Sequence, residues 1–407
     1  MTKQRIGNIG LLNLTNATEE SIQGIEGIDN VGLVLYKKEN AHLISALNIG
    51  NIGKTAIVPE GYSFFNGILN IDKAYIESIK EPVKLFINGI AIIDNDVQVE
   101  QIKKELLQFT INGIVYSPAH LSGSVSNLFG EGDINVTAYQ GEAPRIENGK
   151  FTLSNSFLQS LTGPQYLVVN GILTFSSDLN MEMFNEKISD IEVNGKIVIY
   201  EEQEPYLYRK MASLTSSHVD VIPAGHDLIE SQLRLNSRSI RRFKHKRIMT
   251  KRPIVIDADV SREALSNAFS KIHSPSMIIC HENVEDIVYE LCSLLETEVL
   301  VYEKSFIFIE NEEEWSNDQF LALKEPANFV VRGVLTLDED VELEVLQEKV
   351  AAIDLMGEII VSNKKLKGSL QQLLRLNNGN ITEKDKSAVK ENEKEPAYLN
   401  NIGELSL

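Results

Sequence analysis

Four times along this 407-residue chain an aspartate is followed four positions later by a glutamate at the head of a helix-like pattern: Asp96 and Glu100, Asp178 and Glu182, Asp259 and Glu263, Asp340 and Glu344. Paired carboxylates at this spacing could hold a metal ion or divide acid and base work between them. Their placement points elsewhere. An aspartate at a helix start accepts backbone N–H bonds, and a glutamate in the first turn meets the positive end of the helix dipole, together worth about 1 kcal/mol per helix. The pairs also lie four strands apart, roughly 20 Å at about 4.8 Å per strand, so they cannot combine into one site. They are expected to be caps.

The other chemical candidates are weaker. Gly53-Lys54-Thr55 looks like the end of a phosphate-binding loop, but Asn48 stands where the first glycine belongs, and Asn48 to Gly53 (NIGNIG) follows a theme repeated elsewhere in the chain. The seven histidines form no H-E-x-x-H pair, no G-x-S-x-G occurs, and His218 and His226 flank a strand-like run as surface residues. Cys280 and Cys292 sit in apolar runs and read as buried thiols, with neither disulfide nor zinc spacing. The sequence therefore nominates no catalytic residue, no metal ligand and no cofactor, and the expectation is a protein that is not an enzyme.

One stretch stands apart electrostatically. Arg234 to Arg252 holds nine Lys or Arg and no acid, whereas the chain's net charge is -19, which leaves -28 for the remainder. Arg238, Arg241, Arg242, Lys244, Lys246 and Arg247 are the candidates for binding an acidic protein or an anionic ligand; the alternative is a solvated face or a partner for the chain's own acidic surface. Phe243 alone supplies aromatic interleaving, so nucleic acid is not expected. The overall acidity likewise disfavours general binding to nucleic acid or anionic membranes. No run approaches the length of a membrane span, the first residues carry no secretory h-region, and two isolated cysteines suit a reducing compartment. The expected location is cytoplasmic.

The elements that carry these residues are set by an internal repeat. Asn88-Gly89-Ile90 through Asp96 aligns without a gap on Asn170-Gly171-Ile172 through Asp178 and on Arg332-Gly333-Val334 through Asp340, and a copy lacking its glycine runs from Lys251 to Asp259. The interval from each of the four aspartates to the next is constant to within a single position. After each comes a one-sided apolar stripe (Val97, Ile102, Leu106; Leu179, Phe184, Ile188; Val260, Leu265, Phe269; Val341, Leu346, Val350), which predicts an amphipathic helix, and then a second strand around Gly113, Gly195, Ser276 and Gly357. Gly10 and Gly32 mark an earlier copy. The rest of each unit recurs more loosely: Ile57 to Gly61 returns as Val221 to Gly225, and Thr137-Ala138-Tyr139 as Leu300-Val301-Tyr302. The rhythm is about four strands per 81 residues, the length scale of solenoid rungs. Because Asn-Gly falls inside apolar runs, it predicts a bulge or a close backbone approach rather than a hairpin turn.

The strand-entry stretches Ile188 to Val193, Val350 to Leu355 and Leu106 to Ile111 fit L-x-x-L-x-L with other aliphatics substituted, and in this the chain resembles the leucine-rich repeats. The asparagine that follows in that family is absent here, and glycine occurs after the middle of the strand. The resemblance implies an α/β solenoid with a curved parallel sheet, helices outside and a partner-binding role. The expected organisation is one β/α solenoid over 1–376, a disordered charged linker over 377–397 and a strand-like peptide over 398–407.

That last peptide reads NIGELSL from Asn401 to Leu407, a near copy of NIGLLNL at Asn8 to Leu14. It is expected to add as a strand to a sheet edge, with Tyr398, Leu399, Ile402, Leu405 and Leu407 as the docking residues. A straight solenoid would favour the edge at its own end or that of another chain. Together these features predict an interaction scaffold with a protein partner, able to form homo-oligomers through strand addition.

Overall fold

We describe residues 4–102, 106–125, 128–129, 135–211, 217–384 and 398–407 of the computed structural model. The chain forms two compact units, one of Met1–Val221 with Glu391–Leu407 and one of Ile222–Lys390, where the repeat suggests one body over 1–376. Both units are α/β: parallel strands alternate with short helices, as the repeat predicts.

In the first unit, β1 (Gln4–Asn13), β2 (Ile25–Tyr36) and β3 (Ile49–Ile57) form one parallel sheet. A second sheet contains β4 (Ser63–Ile71), β5 (Val83–Ile93), β6 (Leu107–Pro118) and β7 (Asn135–Tyr139). A third contains β8 (Arg145–Leu153), β9 (Gln165–Phe175), β10 (Ile188–Tyr200) and β11 (Ser217–Ile222). Strands stack every 21 to 24 residues. The longer interval, from Asp96 to Asp178, therefore marks a whole sheet of four strands. The implied continuous sheet is divided, because the links from β3 to β4 and from β7 to β8 contain no helix and start a new sheet.

The second unit follows the same plan with broken strands. Ala327–Val331 and Val334–Leu337 flank Gly333 where β5 runs unbroken through Gly89, so the strands of each repeat divide between two parallel sheets. In the earlier repeat these are a three-stranded sheet of Asp227–Leu228, Lys246–Met249 and Phe269–His273 and a four-stranded sheet of Leu233–Leu235, Ile254–Ile256, Met277–His281 and Glu298–Tyr302; in the later repeat both sheets have four strands. One contains Ser305–Ile309, Ala327–Val331, Val350–Leu355 and Leu374–Asn377, and the other Glu312–Trp315, Val334–Leu337, Glu358–Val361 and Asn380–Glu383. Asn380–Glu383 pairs in register with Glu358–Val361. The linker predicted from 377 thus begins in ordered strand, and residues 385–397 of that prediction lie outside the described residues.

Each repeat closes its own core between its sheet and its helices. Leu167, Phe175, Phe184, Ile188, Ile191 and Val193 pack together in the third sheet's core, and Phe329, Leu337, Leu346, Ile353 and Leu355 do so in the second unit. Full burial of each such side chain contributes about 1.5 to 3 kcal/mol, far more than short helices of four to ten residues gain from propensity. The aliphatics of the strand-entry stretch Ile188 to Val193 are therefore core positions. Other apolar rows join neighbouring sheets: Leu11, Leu35, Val58 and Phe86 between the first and second, and Tyr116, Tyr139, Tyr166 and Val168 between the second and third.

The four repeated aspartates do not cap the helices that follow them. Those N-cap positions belong to Gln98, Asn180, Ser261 and Glu342, two residues further on. Asp96 Oδ1 accepts from the backbone N–H of Lys73, Asp340 Oδ1 from that of Asn317, and Asp259 from both N and Oγ of Ser237, at 2.6 to 3.1 Å. Asp178 instead accepts through its backbone carbonyl from Asn155 Nδ2. Three carboxylates thus tie one rung to the helix start of the rung before it. The glutamates lie in the first turn of their helices as expected.

Candidate interaction site

The C-terminal strand Tyr398–Ser406 lies parallel beside β1, giving the first sheet the order C-terminal strand, β1, β2, β3. Arg5 pairs with Tyr398, Ile6 with Leu399, Asn8 with Asn401, Ile9 with Ile402, Leu11 with Glu404, Leu12 with Leu405 and Asn13 with Ser406. The N–H of Leu407 donates to the carbonyl of Asn13 at 3.0 Å. The peptide therefore adds within its own chain to the edge of the N-terminal strand that it resembles, not to an edge at its own end. It fills a fourth strand position, so the first sheet matches the second and third.

The five apolar residues named for docking all lie on this strand or directly after it. Ile402, Leu405 and Leu407 are half-buried and pack on the cluster of Ile6, Ile9, Leu12 and Val34; Tyr398 and Leu399 take their places through the backbone pairing. Glycine does the rest. A Cβ on Gly10 would lie 2.6 Å from the carbonyl oxygen of Gly403, well inside van der Waals contact, while nothing lies within 4 Å of a Cβ placed on Gly403. The close backbone approach predicted for the Asn-Gly strands occurs at Gly89, Gly113, Gly171 and Gly195, and here at the Asn-x-Gly strands as well.

The asparagines beside these glycines form ladders. Asn51 Nδ2 donates to Asn30 Oδ1, Asn30 to Asn8, and Asn8 to Asn401, at 2.8 to 2.9 Å. Asn66, Asn88 and Asn112 repeat the arrangement in the second sheet, and Asn148, Asn170 and Asn194 in the third. Two further bonds join the first sheet to the second: Asn66 Nδ2 donates to Glu404 Oε2 at 2.9 Å, and Lys54 Nζ to Asn112 Oδ1 at 2.6 Å. Lys54 lies inside β3, as expected of a strand residue rather than a phosphate-loop lysine.

Asn66 and Glu404 were not singled out from the sequence, and Asn8, Gly10 and Asn401 were noted only as parts of the repeated strand. The signal for the ladder was present, since Asn-x-Gly recurs at residues 8, 30 and 51 and again at 401.

The basic stretch lies in the second unit on a short 3-10 helix, Ser239–Arg242, the loop after it and the strand Lys246–Met249. Arg238, Arg241, Arg242, Lys244, Lys246 and Arg247 are all exposed. Lys246 pairs with Asp227 at 2.7 Å, and Arg242 lies over the Phe243 ring at 4.8 Å. Arg241, Arg242, Lys244 and Arg247 make no ion pair among the described residues. Phe243 packs against Phe269 with ring centroids 4.8 Å apart, so its ring serves the core.

Other titratable groups are explained by structure. Tyr116 and Tyr166 both donate to Glu192 Oε2, at 2.9 and 3.1 Å; burial first, and then the carboxylate's charge, push both phenols well above their usual range and keep them donors. Tyr139 donates to the carbonyl of Ile93, and Tyr302 does the same to Ile256, so the loosely repeated segments share one tertiary bond. Cys280 is buried and its thiol is pushed up to about 12; Cys292 is half-buried and raised by burial. No group of three His, Cys, Asp or Glu that could hold a metal occurs among the described residues, and no described helix is long and apolar enough to cross a membrane.

Fold and site define an α/β protein of repeated parallel sheets with an edge that receives a strand. No family model, curated protein or solved structure matches the chain.

Proposed function

We propose that this chain is a non-enzymatic interaction scaffold of the cytoplasm, with leucine-rich-repeat-like β/α solenoid architecture within each unit, and that it self-associates through its C-terminal strand. The supporting observation is strand addition at β1, a binding mode the molecule already uses internally. A strand at a sheet edge, paired with β1 alone, can be exchanged with that of a second copy. Sedimentation velocity over a range of concentrations tests this. The full chain self-associates and a chain lacking Tyr398 to Leu407 does not; identical sedimentation of the two at every concentration, with equal proteolytic protection, refutes the reading.

A second reading has an observation in its favour: exposed Arg241, Arg242, Lys244 and Arg247, unpaired among the described residues, form a cationic surface on an acidic chain. This surface binds an acidic protein partner or anionic ligand. Reversing Arg241, Arg242, Lys244 and Lys246 to glutamate abolishes binding to poly-glutamate, and unchanged binding overturns it.

A further inference from the structure

We infer that the edge of β1 is a sequence-reading peptide site whose occupant is the segment Asn-x-Gly-Glu-Leu-x-Leu at the C-terminus of this chain or of a second copy. The inference rests on the strand-addition reading and specifies what that edge recognises.

Backbone pairing alone would accept any extended segment, so discrimination must come from side chains. Three features supply it. The amide ladder ends on Asn401, whose Oδ1 accepts from Asn8 Nδ2; the ladder runs in one direction, so this position needs only an acceptor at that distance. The apolar residues Ile402, Leu405 and Leu407 complete a cluster that β1 and β2 leave open on that side. Glu404 stands opposite Leu11, whose row otherwise packs between sheets, and reaches Asn66 of the next sheet. A carboxylate there fixes the register, because a slip by one residue would place it on the apolar face. It also blunts the outer edge of the added strand against further pairing.

The glycines give the site a polarity. Gly10 must lack a Cβ for the occupant to seat, whereas position 403 of the occupant meets nothing. The requirement for glycine therefore belongs to the receptor strand.

The test uses the full chain with a protease site inserted after Lys390, cleaved once folded, and a fluorescent peptide of Tyr398 to Leu407 as probe. Anisotropy shows the peptide exchanging into the cleaved chain. Asn401→Asp and Gly403→Ala peptides bind within about twofold of the parent, Asn401→Ala about fivefold more weakly, Leu405→Ala about tenfold more weakly, and a scrambled peptide not at all. The uncut chain binds at least about 100-fold more weakly, because its tethered strand competes at an effective concentration in the millimolar range. Failure of the parent peptide to exchange, or equal binding of parent and scrambled peptides, overturns the inference. A second measurement needs no cleavage: hydrogen exchange in the intact chain loses protection over 398–406 in Gly10→Ala and keeps it in Gly403→Ala, and equal protection in the two refutes the polarity. Self-association is read separately by sedimentation of the unmodified chain, so a monomeric chain that takes the peptide fails the scaffold reading without touching this one.

Discussion

Replacing Gly32 by alanine probes the stacked glycines on a strand that is paired on both sides. Gly32 lies in β2, between β1 and β3, and its added Cβ would be 2.7 Å from the carbonyl oxygen of Gly10. A tolerable carbon–oxygen contact is about 3.2 Å, so the strands must part by roughly 0.5 Å. Backbone bonds near 2.9 Å then stretch to about 3.4 Å, the limit of useful geometry. Moving β2 away presses it on β3, whose own glycine backbone at Gly53 lies equally close to the Gly32 carbonyl. Overpacking of this kind costs about 1 to 3 kcal/mol. At about 2 to 4 °C per kcal/mol for a unit of this size, Gly32→Ala lowers the first unit's Tm by roughly 2 to 12 °C. The control is Gly24→Ala, exposed and with nothing within 4 Å, which is neutral or slightly stabilising. Differential scanning calorimetry reads both. If Gly32→Ala melts within about 1 °C of Gly24→Ala, the two backbones are not in contact there and the stacked register is wrong.

Asp354 is 1% exposed and bound by the guanidinium of Arg375, which also donates to the carbonyl of Val301; Arg375→Ala strands a buried carboxylate and destabilises the second unit by about 3 kcal/mol in urea unfolding, while Asp354→Asn costs less. Arg262 holds exposed Asp286 through two bonds of 2.6 Å and lowers its pKa to about 2, so the pair's contribution is present above the ordinary carboxylate range and is lost as pH falls through about 2; NMR titration shows the Asp286 midpoint returning toward its ordinary value in Arg262→Ala. Burial and the neighbouring His226 depress the pKa of His273, so the folded state binds fewer protons than the unfolded one and this contribution weakens as pH falls below about 6.5; His226→Gln raises the His273 midpoint in the same titration. Cys280, with its thiol near 12, resists iodoacetamide at pH 8 in the folded chain and reacts at once on denaturation, as mass spectrometry will read.

Much of the architecture was legible along the chain because it is written in local side-chain chemistry. Apolar stripes, strand-like aliphatic runs and the regular return of Gly89 as Gly171 and Gly333 gave the alternation of strands and short helices and most core positions, although each helix is shorter than its stripe, with Ile188, Phe269 and Val350 already opening the next strand; the equivalence of Tyr139 with Tyr302 reappears as the same hydrogen bond. The basic stretch was legible as charge, and its exposure followed. The aspartates were misassigned because a cap two residues on and an acceptor for the preceding rung leave the same trace in sequence; only stacking brings Asp96 to Lys73 and Asp340 to Asn317. Phe243 stood out in sequence only as the lone aromatic of the basic stretch, and its packing against Phe269 came from the fold.

The sequence by itself determined that the two ends of the chain carry the same strand, since Asn-Ile-Gly followed by alternating leucines specifies one conformation and one apolar face wherever it occurs. Which edge the last strand joins was decided by tertiary structure alone. Asn8 and Asn401 are 393 residues apart, and no local preference can close so long a separation. The open fourth position beside β1, the bare Cα of Gly10 that admits the Gly403 carbonyl and the unfilled apolar face exist only once β1, β2 and β3 have stacked, and that surface selects the strand.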